Sequence, residues 1–367
     1  MPEDGSVIED NPPSSTRPGR GSGAGPGDHE RRPDGHRIPG VGPDVLTRLE
    51  GADVLVTGGA GFVGGRLASA LAPVCDVTVL DDLRGGTAAT VPEGARFVRG
   101  DVRDVETVLP LLADAEVVFH QAGLVDAGTS VRAPVETHTR NAGGAMTVLD
   151  AARRTDTRVV LASSADVYGP SRSLPVAETD PTRPVTPLGV SKLAAEGYAR
   201  SFAESYGLET VALRYFDVYG VRESGSTGPC QSGSAGSVAE FVERARRGDP
   251  LAVPVDDSST RDYVHVDDAV QATVRAAVAD VTGVAVNVGT GVETPVRSVA
   301  ELVRAELDAT SQLVPVEGRY GDDQPGCASI DRARDRLGYE PTVRVEAGVR
   351  AVCRRSVADR PVETAQT

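Results

Sequence analysis

The residues best suited to chemistry in this chain begin with a run of glycines. The segment Val54-Leu-Val-Thr-Gly-Gly-Ala-Gly-Phe-Val-Gly64 sets Gly58, Gly61 and Gly64 directly after an apolar stretch. Glycine permits a tight turn, lets a backbone approach a pyrophosphate and allows a helix to pack closely on a strand. A helix beginning there turns unpaired N–H groups and the positive end of its dipole toward phosphates. About 20 residues beyond the glycines, Asp81 and Asp82 end a second apolar run, where a carboxylate hydrogen-bonds a ribose 2′-OH. A carboxylate at that place repels a 2′-phosphate, so the pattern points to NAD rather than NADP as the cofactor. Asp101 stands after a third run, suited to the adenine edge or equally to a turn. Composition singles out one more residue. Among 38 basic residues Lys192 is the sole lysine; a coding bias explains the arginines and makes that lysine worth examining.

Strands and helices in alternation must hold these residues. Apolar runs at 54–57, 77–80, 97–99, 117–120, 159–163 and 210–215 read as strands. Helical spacing is expected at 63–71, around 105–113, at 142–153 with Met146 and Leu149 facing inward, and at 191–206. That rhythm implies an α/β fold, a Rossmann-type doubly wound parallel sheet, with a smaller C-terminal substrate-binding lobe. Residues 1–45, rich in Pro, Gly, Ser, Asp and Arg, read as a disordered extension. The dinucleotide domain is expected over 50–220, with 263–290 returning to it; 221–262 and 291–355 would build the lobe, and 356–367 a tail.

Bulk properties narrow the class. A net charge of −15 argues against nucleic acid as a partner and requires local arginines for any anionic substrate. No apolar run approaches the roughly 18–20 residues of a membrane span, and the N-terminus lacks the pattern of a secretory signal. Cys75, Cys230, Cys327 and Cys353 are widely spaced, which fits free thiols in a reducing cytoplasm rather than disulfides or a metal site.

Further motifs follow in order: Gly100-Asp-Val-Arg-Asp104, Phe119-His-Gln-Ala-Gly123, Asn141 with Gly143-Gly144, Ala162-Ser-Ser-Ala-Asp-Val-Tyr-Gly169, and Gly189-Val-Ser-Lys-Leu-Ala-Ala-Glu196. Leu213-Arg-Tyr-Phe-Asp-Val-Tyr-Gly220, Thr260-Arg-Asp-Tyr-Val-His-Val-Asp-Asp268, Asn287-Val-Gly-Thr-Gly291 and Leu337-Gly-Tyr-Glu-Pro341 complete the set. With the glycine loop they make the chain resemble the extended short-chain dehydrogenase/reductases, in particular the NAD-dependent sugar-nucleotide epimerase/dehydratase family. The resemblance extends the cofactor-binding set to Phe62, Val63, Val102, Ala122, Gly123, Asn141, Lys192 and Tyr215. In similar enzymes a Ser or Thr, a Tyr and a Lys form the catalytic group, the last two four residues apart on one helical face. The lysine binds the nicotinamide ribose and lowers the tyrosine pKa, and the phenol takes a proton while hydride passes to NAD. Ser164 and Lys192 match two of the three. The resemblance also implies a homodimer built on helices at 141–153 and 191–206.

Three positions depart from that pattern. Four residues before Lys192 stands Leu188, which has no proton to exchange. Two residues after Ser164 stands Asp166, where dehydratases and decarboxylases of the group often carry a Glu acting as acid or base; an Asx-turn cap is the plainer role. Asp217 occupies a position that is often Asn beside the substrate diphosphate. A carboxylate about 4 Å from a phosphate costs on the order of 4 kcal/mol at an effective dielectric near 20. Arg222, Arg261 and Arg319 are candidates to offset it, the last two matching arginines that grip the diphosphate in similar proteins.

The leading expectation is therefore an NAD-dependent epimerase or dehydratase acting on a nucleotide sugar or related nucleoside through a transient ketone. The base would be Asp166, Tyr168 or a water chain held by Ser164 and Lys192. The competing expectation is a weak or inactive NAD-binding member serving as sensor or scaffold, which Leu188 favours. His120 reads as structural.

Overall fold

A computed structural model describes residues 38–171, 173–221, 237–255, 259–317 and 325–358. Each of the early apolar runs forms a strand: β1 (Asp53–Thr57), β2 (Asp76–Asp81), β3 (Arg96–Arg99), β4 (Val117–His120), β5 (Arg158–Ser164) and β6 (Thr210–Tyr215). Their neighbours are parallel, so every connection must cross over, and α-helices make the crossings except from β2 to β3, where there is only a 3-10 turn at Ala88–Thr90. A short α1 (Pro43–Thr47) precedes β1, and the crossing helices are α2 (Phe62–Leu71), α3 (Val105–Asp114), α4 (Ala127–Arg132), α5 (Pro134–His138), α6 (Gly144–Thr155) and α7 (Pro187–Tyr206). A π-turn at Thr139–Gly143 joins α5 to α6. The start of α7 is fixed by Pro187 in the first turn and by the Thr186 hydroxyl, which accepts the Gly189 N–H; Gly207 in the left-handed region ends it.

The pleat sends alternate residues to opposite faces. Val54 and Val56 of β1 join one buried layer with Leu67, Ala68 and Leu71 of α2. Leu55 joins the other with Val108 and Leu112 of α3, Val148 and Leu149 of α6, and Ala199 of α7. Met146 is only half-buried at the edge of this second layer.

Beyond β6 come β7 (Asp217–Tyr219), α8 (Val238–Arg247), β8 (Leu251–Pro254), β9 (Thr260–Arg261) and β10 (Tyr263–His265). They are followed by α9 (Val266–Val278), β11 (Val284–Val288), α10 (Val296–Glu306), α11 (Asp331–Leu337) and α12 (Val345–Ala358). The main sheet has seven strands in the order β11-β6-β5-β4-β1-β2-β3. Chain order reverses between β1 and β4, which opens a crevice at the carboxyl ends of those strands. A separate apolar cluster of Phe241, Leu251, Val253, Tyr263, Val299, Val303 and Val349 gives the C-terminal part its own core.

Four boundaries differ from the sequence reading. Order extends further toward the N-terminus than residue 45, because Ile38, Val41, Val45 and Leu49 are buried in the main core; residues 1–37 lie outside the described residues. Within 263–290, β10 pairs with β7 rather than with the main sheet, while α9 covers a sheet face and β11 supplies the seventh strand. Ile330, Ala333, Leu337 and Tyr339, placed with the lobe, pack instead in the main core. Finally α12 runs past residue 355, and the remainder of the expected tail lies outside the described residues. Among the described residues no helix is long and apolar enough to cross a membrane.

Candidate active site

A cavity of about 530 Å³ occupies the crevice at the carboxyl edge of the sheet. One end is built by the glycine loop. Gly58 has φ +70°, and a Cβ there would lie 2.6 Å from the Ala122 backbone nitrogen. A Cβ on Gly64 would lie 2.2 Å from the Gly58 carbonyl oxygen, so the first turn of α2 sits directly on the loop. These approaches create the backbone cradle that a pyrophosphate needs.

Asp81 closes the cradle. Its Oδ2 accepts the Ala60 N–H at 3.0 Å and its Oδ1 the Leu83 N–H at 2.8 Å. Burial pushes this carboxyl above the usual carboxylate range, against the pull of the two N–H groups. Thus Asp81 caps a turn and also lines the cavity. Asp82 faces Arg84 at 3.4 Å and Arg140 at 3.7 Å. Asp101 is held by the Arg103 guanidinium, which keeps its carboxyl low, and it still lines the cavity beside Val102. Gly61, Phe62, Val63, Ala122, Gly123 and Tyr215 line it too. The Tyr215 hydroxyl shares a hydrogen bond with Thr273 Oγ1 at 2.7 Å, and burial pushes its pKa up to about 12.

Asn141 departs from expectation. It is buried and absent from the cavity lining. Its Oδ1 accepts the Leu124 N–H at 2.7 Å, and its Nδ2 donates to the Leu124 carbonyl at 3.0 Å and to Ser191 Oγ at 2.9 Å. The amide therefore clamps the loop after β4 to α7.

The other end of the cavity gathers Ser164, Asp166, Leu188, Lys192 and Asp217. Ser164 ends β5, and α7 presents Leu188 and Lys192 one turn apart, as i,i+4 spacing requires. Lys192 Nζ donates to the Ala162 carbonyl at 2.8 Å. Burial lowers its pKa to about 8, with the Asp166 and Glu196 charges resisting the fall. Leu188 forms cavity wall where the resemblance leads one to expect a phenol.

One sequence candidate for the base, Tyr168, is corrected by its surroundings, and His120 keeps the structural reading. Tyr168 is buried outside the cavity lining; its hydroxyl donates to Asn287 Oδ1 at 2.6 Å and accepts from Arg214 Nη1 at 2.8 Å. Its pKa is pushed up to about 12, chiefly by burial, so it is a strut and not a base. His120 is buried against Thr57 Oγ1 at 2.8 Å, with a pKa lowered by burial to about 3.

Arg261 Nη1 lies 2.9 Å from Asp217 Oδ1, and its side chain is only 4% exposed. The arginine thus offsets the Asp217 charge, yet it stands behind Asp217 and is absent from the lining. Arg222 and Arg319 lie outside the described residues. The sequence reading missed the Glu196–Arg214 pair at 2.7 Å, in which Glu196 also accepts the Ser163 hydroxyl. Its signal was Glu196 standing four residues after Lys192, hence on the same helical face.

The doubly wound sheet, the glycine cradle and Asp81 define a dinucleotide-binding α/β protein. Residues 54–289 match the NAD dependent epimerase/dehydratase family, and the chain belongs to it. It is 34% identical over 306 residues to the UDP-glucose 4-epimerase of Azospirillum brasilense, covering 78% of this chain and 87% of that one. Its structure is similar to a UDP-glucose 4-epimerase from Thermus thermophilus in complex with NAD, with TM-score 0.76, 34% identity, and coverage of 83% and 98%. It is also similar to the UDP-glucose 4-epimerase with UDP-glucose from Thermotoga maritima, with TM-score 0.77, 30% identity and the same coverage of each chain.

Proposed function

We propose that this protein is an NAD-dependent epimerase or dehydratase that acts on a nucleotide sugar through a transient ketone. The observation that carries the reading is the continuity of one cavity from the glycine cradle to Ser164, Asp166 and Lys192. Relatives that are UDP-glucose 4-epimerases, one solved with NAD and another with UDP-glucose, support it. A scaffold that only binds the cofactor is not favoured, since it has no use for a cavity reaching polar side chains beyond the cradle.

Bound NAD supplies a reversible hydride acceptor. The protein's own residues do the rest. The loop at Gly58, Gly61 and Gly64 receives the pyrophosphate, and Asp81 takes the adenosine ribose hydroxyls. Phe62, Val63, Asp82, Asp101, Val102, Ala122, Gly123 and Tyr215 complete the walls of that end. Lys192 orients the nicotinamide ribose and keeps positive charge beside the oxygen that becomes a carbonyl. Asp217 meets the substrate with its charge offset by Arg261. The free thiols of Cys75, Cys327 and Cys353 suit a cytoplasmic location. We also infer a homodimer.

The test is to purify the protein, record whether NAD or NADH accompanies it, and offer UDP-, dTDP-, GDP- and CDP-sugars while following absorbance at 340 nm and product mass. Bound dinucleotide and isomerised or dehydrated product from one of them is the expected result. Neither binding nor turnover across the panel overturns the reading.

A further inference from the structure

Leucine at position 188 removes the usual phenol, but the neighbouring pair is bonded in a telling direction. The Ser164 hydroxyl donates to Asp166 Oδ2 at 2.6 Å, and Ser164 Oγ accepts the Asp166 N–H at 3.2 Å. A serine oxygen has one hydrogen to give and two lone pairs. With the hydrogen committed to a carboxylate and one lone pair to an N–H, the second lone pair is what Ser164 offers a substrate hydroxyl. It is set as an acceptor. Both residues line the cavity together with Leu188 and Lys192. Other candidate acceptors are engaged elsewhere: Tyr168 with Asn287 and Arg214, His120 with Thr57, and Tyr215 with Thr273 and Gln121.

We propose that Ser164 and Asp166 form a two-step proton relay that replaces the missing tyrosine, with Asp166 as the terminal base. The proposal rests on the epimerase/dehydratase reading above. The substrate carbinol O–H breaks as its proton passes to Ser164 Oγ. The Ser164 O–H breaks as its proton passes to Asp166 Oδ2, leaving a neutral carboxyl and an intact serine. The carbinol carbon is oxidised to a carbonyl and loses its hydrogen as hydride to the oxidised nicotinamide that the family's cofactor supplies. Reduction of the ketone runs the same transfers backward, and Asp166 returns its proton through Ser164. Lys192, held by the Ala162 carbonyl, faces the same space and steadies the developing oxyanion.

The relay predicts two protons in flight. In mixtures of H₂O and D₂O the wild-type kcat should fall along a bowed curve, while a single direct transfer gives a straight line and overturns the relay. Asp166→Asn should lower kcat by about 10²-fold or more, with KM changed little, and Asp166→Glu should recover part of it. Turnover by Asp166→Asn within about threefold of wild type sinks the relay and leaves the enzyme reading intact. Failure of the wild type on every sugar nucleotide sinks that reading and the relay with it. A readout independent of turnover uses the sole lysine. Amine modification of Lys192, resolved from the N-terminus by peptide mapping, should show a lower pH midpoint in Asp166→Asn, because an anionic neighbour has been removed. An unchanged midpoint means that Asp166 is not the anion beside Lys192, and the proposal fails.

Discussion

At the scale of single residues, Lys192 shows how the site stores electrostatic cost. Its ammonium is buried and its pKa is lowered from 10.5 to about 8. Between those values the unfolded chain holds a proton that the folded chain has released, so stability rises with pH across this window. The penalty is present in full below pH 8, where the fold must accommodate the charged form, and is relieved by pH 10.5. Relative to Lys192→Met, the wild type should gain on the order of 3 kcal/mol from pH 7 to pH 10.5, read from denaturant midpoints at each pH. An unchanged difference would mean that Lys192 is solvated. The cofactor residues were legible in sequence because glycine loop and acid act through local backbone geometry, which short spacing encodes. The structural bonds of Asn141 and Tyr168 were not legible for the opposite reason. Their partners lie 17 and 119 positions away along the chain, and only the fold reveals that these polar groups are already spent.

At the scale of elements, the catalytic strand and helix are tied from below. Glu196 of α7 receives Arg214 of β6 through both carboxylate oxygens and the Ser163 hydroxyl of β5, while Arg214 also reaches Tyr168. Arg214 further stacks on the Tyr168 ring, 4.8 Å from guanidinium carbon to ring centre. Ser163 and Glu196 are the immediate supports of Ser164 and Lys192, so this network sets the spacing across the cavity. Both partners of the ion pair have side chains only 7% exposed. Removing one charge from such a pair leaves the other buried alone, at a cost of about 3–5 kcal/mol. Glu196→Gln should therefore lose stability of that order in urea unfolding, whereas Glu240→Gln, which breaks the more exposed Arg244 pair on α8, should lose under about 1 kcal/mol. Equal losses would show that the network is not a structural tie. The π-turn before α6 belongs to the same scale, since it seats Asn141 in the clamp between the β4 loop and α7.

At the scale of the whole molecule, strand runs and their order fixed the fold class because a parallel sheet buried on both faces writes continuous apolar segments. The C-terminal part was harder to divide, since α11 and the lobe share similar composition and only packing assigns Ile330 and Leu337 to the main core. The proposed homodimer is argued from what the surface leaves uncovered. On α7, Val190 and Tyr198 are 50% and 40% exposed, and Tyr206 at its end is 60% exposed; Val135 on the adjoining α5 is 75% exposed. Among α5, α6 and α7 the exposed large apolar side chains lie on α5 and α7, while the apolar residues of α6 are buried except for half-buried Met146, so we place the proposed interface on α5 and α7 rather than on 141–153. The apolar outer positions of α5 and α7 can pair about a two-fold axis, each copy burying the same residues, and a stable contact needs about 800 Å² from each partner. Sedimentation at micromolar concentration should give twice the chain mass of 38.1 kDa. The double substitution Val190→Glu with Tyr198→Glu places like charges against each other across that axis and should yield a monomer that still carries NAD, because neither side chain reaches the cavity. A wild-type monomer, or a dimer indifferent to both charges, would remove this face as the interface.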